Sequence, residues 1–348
     1  MPVGRFDHAA LQIFIRELFT AAGLRPAEAA VEAEVLIWAE LRGLASHGLF
    51  RVPMYLGWIA RGLRNPASEP KIVRAKGATC LIDADRAPGL YMMTQAMERA
   101  VGLAREHGVG WVLVRRTTHT GAMGFAARQA AEAGMIGIAT CGSRPLMAYH
   151  GSRVPALGTS PLAIAAPRAN GAPIALDMSS AAIPWGKLAQ ARANNETLPP
   201  GVALDGAGRA TTDPNEAEVP LPLAGPKGSG LALMIECLTS LAGGLPLVAP
   251  VLRGEGPNYN VQNAAAIAVD PEAFLGGDGF AEEVEKMAAA IAGLPRAEGF
   301  DEILMPGERG DREAARRMAE GVEVPAELWA QLCETAERLG VTPPTPHG

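Results

Sequence analysis

The sequence predicts an α/β protein that is not built as a doubly wound parallel sheet. Three observations carry this. Helical periodicity fills both ends of the chain while strand-like runs crowd the middle, so strands and helices do not alternate one for one. The G-x-G-x-x-G fingerprint of doubly wound dinucleotide folds is missing, since Leu113 follows Gly108-Val109-Gly110, and Leu233 follows Gly228-Ser229-Gly230, where the third glycine belongs. The 348 residues, 48% hydrophobic and 20% charged, suffice for a large core and two lobes.

The elements follow in order. Asp7 is placed to cap a first helix, in which Leu11, Phe14, Ile15, Leu18 and Phe19 recur at helical spacing before Gly23 ends it. A second helix starts near Pro26 and runs to about Leu41. The turn Ala45-Ser46-His47-Gly48 leads into a helical segment through Tyr55 and Ile59. Strands are expected at Lys71-Ile72-Val73, Thr79 to Asp83, Gly110 to Arg115, Ile136 to Thr140, Leu162 to Ala166, Ile174 to Asp177 and Ala264 to Val269. Helices are expected from Tyr91 to Glu106, Met123 to Ala133, Ser229 to Leu241, Ala281 to Ala292, Asp311 to Gly321 and Pro325 to Leu339. The stretch from about Asn194 to Lys227, rich in Pro, Gly, Asn and Asp, reads as a long, mostly irregular excursion with a turn at Leu204-Asp205-Gly206-Ala207-Gly208.

Bulk properties exclude several classes. Net charge is -6 and no basic run stands out, which argues against nucleic acid. Cys80, Cys141, Cys237 and Cys333 form no C-x-x-C pair and no zinc spacing, so free thiols and no metal are expected. No secretory leader or membrane span is read. The apolar stretch Leu231 to Leu252 is broken by Glu236, Gly243, Gly244 and Pro246, and reads as a buried helix and a turn.

Several local patterns together resemble the type-2 malate/L-lactate dehydrogenase family, from Phe6 to about Val341. They are Leu41-Arg42-Gly43-Leu44-Ala45-Ser46-His47-Gly48 with Arg51 and Pro53, Thr118-His119-Thr120-Gly121 with Gly124, and Gly151 with Gly158-Thr159-Ser160-Pro161. Further along come Leu176-Asp177-Met178, Pro226-Lys227-Gly228 and Pro306-Gly307-Glu308-Arg309. The resemblance implies a non-Rossmann α/β fold with a mixed sheet, in which N- and C-terminal helices form one lobe. Residues 1–116 plus 306–348 would make the helical, substrate and dimerisation lobe, and 117–305 the cofactor lobe. It also implies a cytoplasmic homodimer using NAD or NADP on a small carboxylate substrate.

By resemblance, His47 is the general acid/base, Ser46 orients it, and His119 is a second acid/base candidate that also borders the cofactor. Histidine suits proton exchange in both directions because its pKa lies near neutrality. Gly48 beside it is read as leaving room for a ligand. Arg51 lies four residues after His47; a helix there would project both from one face, with the guanidinium free to grip a substrate carboxylate. Ser143, Asp177, Met178, Ser179, Lys187, Lys227, Glu308 and Arg309 match positions that contact the cofactor in relatives.

Three readings follow. In the first, a 2-oxo acid is reduced, or a 2-hydroxy acid oxidised, at C2. In the second, a Δ1-pyrroline- or Δ1-piperideine-2-carboxylate is reduced; His150 before Gly151 resembles those imine reductases, whereas Lys187 resembles the hydroxyacid enzymes. In the third, a non-catalytic binding protein keeps the fold, a reading suggested by Ser160 and Pro226, where relatives often carry Asn and an aromatic residue or His.

Overall fold

The first helix, α1 (His8–Ala21), forms as its sequence dictates. Asp7 Oδ1 accepts the Ala10 N–H at 2.8 Å, and Leu11, Phe14, Ile15, Leu18 and Phe19 are all buried along one stripe. It packs on α2 (Pro26–Leu41), and α3 (Arg51–Ala60) follows. The structure is a computed structural model describing residues 2–256, 261–277 and 279–347.

The helical lobe is closed by the far end of the chain. Strand Pro2–Phe6 pairs antiparallel with Val322–Pro325, and the Phe6 ring lies 4.2 Å from Trp329 of the last helix. Leu11, Leu36, Tyr55, Val322 and Leu332 share one apolar core. N- and C-terminal helices thus form one lobe.

The second core lies on a seven-stranded mixed sheet. In chain order its strands are β1 (Lys71–Lys76), β2 (Thr79–Asp83), β3 (Val109–Thr117), β4 (Ile136–Ser143), β5 (Leu162–Ala166), β6 (Ile174–Met178) and β7 (Gln262–Val269). The spatial order is β1-β2-β3-β7-β4-β5-β6. Only β2 and β3 pair in parallel, as the intervening α4 (Gly89–His107) requires; every other neighbour pair is antiparallel. α4 and α5 (Met123–Glu132) bury Met92, Met97, Ala126 and Ala130 against small residues such as Ala139, Ala163 and Ala266. Gln262 stands opposite both Thr117 and Ser143, and Leu162 opposite Met178. The carboxyl ends of β3, β4 and β6 therefore lie along one edge of the sheet.

The middle of the chain differs from expectation. An unforeseen helix, α6 (Trp185–Asn194), precedes the excursion; its sequence buries little beyond Leu188 and Ala191, too few for a visible apolar repeat. The excursion itself holds a small three-stranded antiparallel sheet of Ala203–Leu204, Ala210–Thr211 and Val219–Pro220. The turn signal there is a hairpin in which Asp205 Oδ1 accepts the N–H groups of Ala207 and Arg209. Helix α7 starts at Pro226 rather than Ser229, ends at Glu236, and continues as a π turn over Cys237–Leu241. Nor is it a fully buried helix: Leu233, Met234, Leu238 and Leu241 are exposed along its outer side. Near the chain's end, α8 (Phe280–Ala292), α9 (Glu308–Glu320) and α10 (Ala326–Leu339) complete the fold.

Candidate active site

Two histidines from distant segments meet between the lobes. His47 ends a 3-10 turn, Ala45–His47, and His119 lies in the loop between β3 and α5; their ring centroids are 5.5 Å apart. His47 Nδ1 is 2.9 Å from Ser46 Oγ. Burial first, and then the Arg51 charge beside it, push the His47 pKa down to about 3. Burial and the Arg51, His47 and Arg64 charges likewise hold His119 well below the usual histidine range.

Arg51 reaches this place by a route other than the one its spacing suggests. His47 and Arg51 do not share a helix, because the 3-10 turn ends at Gly48 and α3 begins at Arg51 itself. The turn folds back so that Arg51 Nε donates to the Ser46 carbonyl at 2.5 Å. The remainder of the guanidinium meets Met54 Sδ at 3.8 Å and makes no ion pair among the described residues. Burial lowers its pKa from the usual guanidinium value.

The turn is tied down from below. Glu40 is buried, and its Oε2 accepts the Leu49 N–H at 2.9 Å. Arg317 of α9 in turn donates to the Glu40 carbonyl at 2.8 Å and lies 3.3 Å from Oε1. Gly48 is required by this packing rather than by a ligand: a Cβ there would stand 2.2 Å from Glu40 Oε2. On the other side α6 presses against the turn, and a Cβ on Gly186 would stand 2.1 Å from Ser46 Cβ. Gly186→Ala is therefore expected to destabilise the fold by about 1–3 kcal/mol, since it displaces the turn that Ser46 and Arg51 share. Urea unfolding of the variant checks this; a stability equal to that of the parent would contradict it.

Tyr55, which sequence reasoning passed over, completes the group. Its hydroxyl is 2.6 Å from His119 Nδ1, and the Gly121 N–H reaches the same nitrogen at 3.2 Å. Tyr55 lies one helical turn beyond Arg51, and that i, i+4 spacing was the available signal.

The cofactor candidates fall on strand ends and on the first turns of three helices. Ser143 ends β4, is buried, and donates to the Arg144 carbonyl. Met178 ends β6; Ser179 Oγ donates to the Thr159 carbonyl and accepts the Ala181 N–H. Asp177 Oδ2 accepts the Gly124 N–H at 2.7 Å, so the carboxylate caps α5. Lys227, in the first turn of α7, is exposed, and the neighbouring Gly228 packs on Ser180. Lys187 is exposed on α6 next to Gly186. Glu308 is committed to its own helix start, accepting from the Met305 N–H and from Arg312, which together hold its pKa low. Arg309 is exposed beside it, and this segment is tied to β6 by the Ala175 N–H on the Pro306 carbonyl. His47, Ser46, Arg51 and His119 thus form one cluster with α6 against it, while Ser143, Asp177, Met178 and Ser179 lie at the carboxyl ends of β4 and β6, Lys227 lies in the first turn of α7, and Glu308 and Arg309 follow the segment tied to Ala175 near the start of β6. Among the described residues no group of His, Cys, Asp and Glu is arranged to hold a metal.

Comparison with known proteins agrees with this architecture. A family model described as malate/L-lactate dehydrogenase matches residues 6–333. L-sulfolactate dehydrogenase of Methanocaldococcus jannaschii is 37% identical over 322 residues, covering 92% of each chain. Ureidoglycolate dehydrogenase (NAD(+)) of Escherichia coli K12 is 32% identical over 334 residues, covering 95% of this chain and 96% of that one. The solved structure of the Methanocaldococcus jannaschii sulfolactate dehydrogenase superposes with a TM-score of 0.87 at 34% identity, over 97% of this chain and 98% of that one. That of Δ1-piperideine-2-carboxylate reductase from Pseudomonas syringae pv. tomato gives 0.84 at 29% identity, over 95% and 99%. The chain belongs to the malate/L-lactate dehydrogenase family.

Proposed function

We propose that this protein is an NAD(P)-dependent oxidoreductase that moves a hydride to or from C2 of a small 2-oxo or 2-hydroxy acid. The observation that carries this reading is Arg51: a half-buried guanidinium with no ion pair among the described residues, set beside two imidazoles. A carboxylate substrate supplies the missing anion and brings its C2 oxygen within the histidines' neighbourhood.

The donor set at the strand ends fits an anionic dinucleotide. Lys227 and Arg309 are exposed and make no ion pair among the described residues, Gly228 beside Lys227 packs on Ser180, and Ser143 and Met178 end their strands at the carboxyl edge of the sheet. Ser143, Asp177, Met178, Ser179, Lys187, Lys227, Glu308 and Arg309 would hold NAD or NADP, which supplies or takes up the hydride when bound.

The chain's own residues manage charge and proton. Arg51 binds and orients the carboxylate. In the free protein His47 is neutral, the form in which it can take the proton from a hydroxy acid. Neutralising Arg51 removes one of the two causes that depress the His47 pKa, so substrate binding raises it and favours proton delivery to the C2 oxygen. The four free cysteines support a reducing, cytoplasmic setting, and the exposed apolar side of α7 supports a homodimer.

A second reading, reduction of cyclic imine carboxylates, is favoured by the likeness to the piperideine-2-carboxylate reductase and by His150, whose ring packs near Gly225 just before α7. NADH and NADPH consumption followed with pyruvate, oxaloacetate and Δ1-piperideine-2-carboxylate separates the readings; turnover of the imine alone would overturn the first. Arg51→Ala is expected to raise KM for the preferred acid by about 10²-fold, the loss of a charge-assisted pair, with a smaller change in kcat. An unchanged KM would remove Arg51 from the carboxylate site.

A further inference from the structure

The two histidines are held in different ways. His119 Nδ1 faces two hydrogen-bond partners, the Gly121 N–H at 3.2 Å and the Tyr55 hydroxyl at 2.6 Å. A backbone N–H cannot accept, so Nδ1 must present its lone pair. Tyr55, whose hydroxyl can act either way, then donates as well. In the neutral ring the single proton therefore sits on Nε2.

Tyr55 is a dependable donor. Burial raises its phenol pKa far above the ordinary value, so it keeps its proton. Its ring is clamped by the Arg64 guanidinium, 4.6 Å above it, and Arg64 is paired with Glu32 at 2.5 Å; both side chains of that pair are wholly buried. The groups facing His119 are Arg51 and Tyr55 from α3, His47 from the 3-10 turn, and Arg64 from the segment after α3, with Glu32 of α2 behind Arg64. Adding a second proton to His119 would set its N–H against the Gly121 N–H amid these cations.

His47 is under no such restriction. Its Nδ1 partner is the Ser46 hydroxyl, which turns from donor to acceptor by rotating about one bond. An imidazolium at His47 keeps its hydrogen bond; one at His119 loses that of the Gly121 amide, which cannot turn to accept.

We propose that Tyr55 and the Gly121 amide lock His119 as the neutral Nε2–H tautomer, so that His119 acts as an uncharged hydrogen-bond donor to the substrate's C2 oxygen and His47 alone exchanges the proton. This rests on the reaction proposed above. Each proton taken from or given to the substrate passes to or from His47, while the His119 N–H stays in place and stabilises the developing oxyanion. A neutral imidazole used as an electrophile in this manner is a known catalytic pattern. Tyr55 is then a positioning residue acting through His119.

The lock is read directly by long-range ¹H–¹⁵N correlation of the histidine side chains in ¹⁵N-histidine-labelled protein between pH 5 and 9. The six histidines are assigned with the help of single His→Gln variants. The expected result is a His119 ring with a bare Nδ1 and a protonated Nε2 throughout, with and without oxamate as a carboxylate probe. Tyr55→Phe, which keeps the ring under Arg64, should shift the Nδ1 resonance toward that of a nitrogen with fewer donors. A His119 ring that titrates in this range, or that carries its proton on Nδ1, overturns the proposal.

Kinetics provide the second arm. Glutamine at 119 restores a neutral N–H donor, so His119→Gln should keep kcat within about tenfold of the parent, whereas His119→Ala should lose about 10²–10³-fold, as for removal of an oxyanion donor. Equal loss in both variants would return the proton to His119. A locked ring in a protein that reduces none of the acids or imines supports the lock and overturns the reaction, so the two failures are distinguishable.

Discussion

His47→Gln should lower turnover by about 10²–10⁴-fold, the range spanned by removal of a general acid or base. Cofactor affinity, measured by fluorescence titration with NADH and NADPH, should fall only modestly, because Ser143, Met178 and Ser179 lie at the strand ends, away from the turn that bears His47. Glutamine keeps the size and a hydrogen bond to Ser46 but carries no exchangeable acid. A kcat near that of the parent would move proton exchange elsewhere, with His119 next in place. The same substitution also changes acid sensitivity. The unfolded chain protonates His47 below pH ~6.5, while the folded protein resists until about 3. The unfolded state therefore binds the extra proton in that window, and stability falls as pH drops through it. The glutamine variant should lose less stability than the parent between pH 6.5 and 4, as urea unfolding at several pH values would show.

Arg64→Met should destabilise the fold by about 3–5 kcal/mol, the usual cost of leaving one member of a buried ion pair alone. Glu32 and Arg64 are both 0% exposed, and the remaining Glu32 oxygen accepts the Tyr91 N–H at 3.2 Å, so the carboxylate has nowhere to go. Burial already pushes the Glu32 pKa up, against the pull of Arg64. The double variant Glu32→Leu/Arg64→Met should recover much of the loss, since two apolar side chains replace two charges. Urea denaturation of the three proteins is the check. A single variant within 1 kcal/mol of the parent would mean that the pair contributes little.

The periodicity of the sequence was enough to locate α1 and its buried stripe, because a surface helix with one apolar face writes that face into every third or fourth residue. The sheet strands were legible for a similar reason: short apolar runs bounded by turn residues leave few alternatives. α6 was not, since its burial against Ser46 rests on the absence of a side chain at Gly186 rather than on an apolar repeat. In the site, His47 with Ser46, Arg51 and His119 could be singled out from their motifs, yet the way they meet could not. Spacing suggested a shared helix for His47 and Arg51, whereas Glu40 pulls the chain into a 3-10 turn and Gly48 answers to that contact. Tyr55 and the Glu32–Arg64 pair were silent because their partners are distant in sequence, and a buried charge pair leaves no local pattern.

The contact between Arg317 and Glu40 spans 277 residues. Ribosomes add about 5–20 residues each second, so the turn bearing His47 waits roughly 15–55 s after Glu40 is made before its final brace exists. During translation the sheet can gather its strands while that turn is still unbraced. The order of synthesis thus keeps the corner that bears His47 unfinished until nearly the last helix has left the exit tunnel, and a polypeptide released early, short of Arg317, should fold its sheet with that corner unbraced.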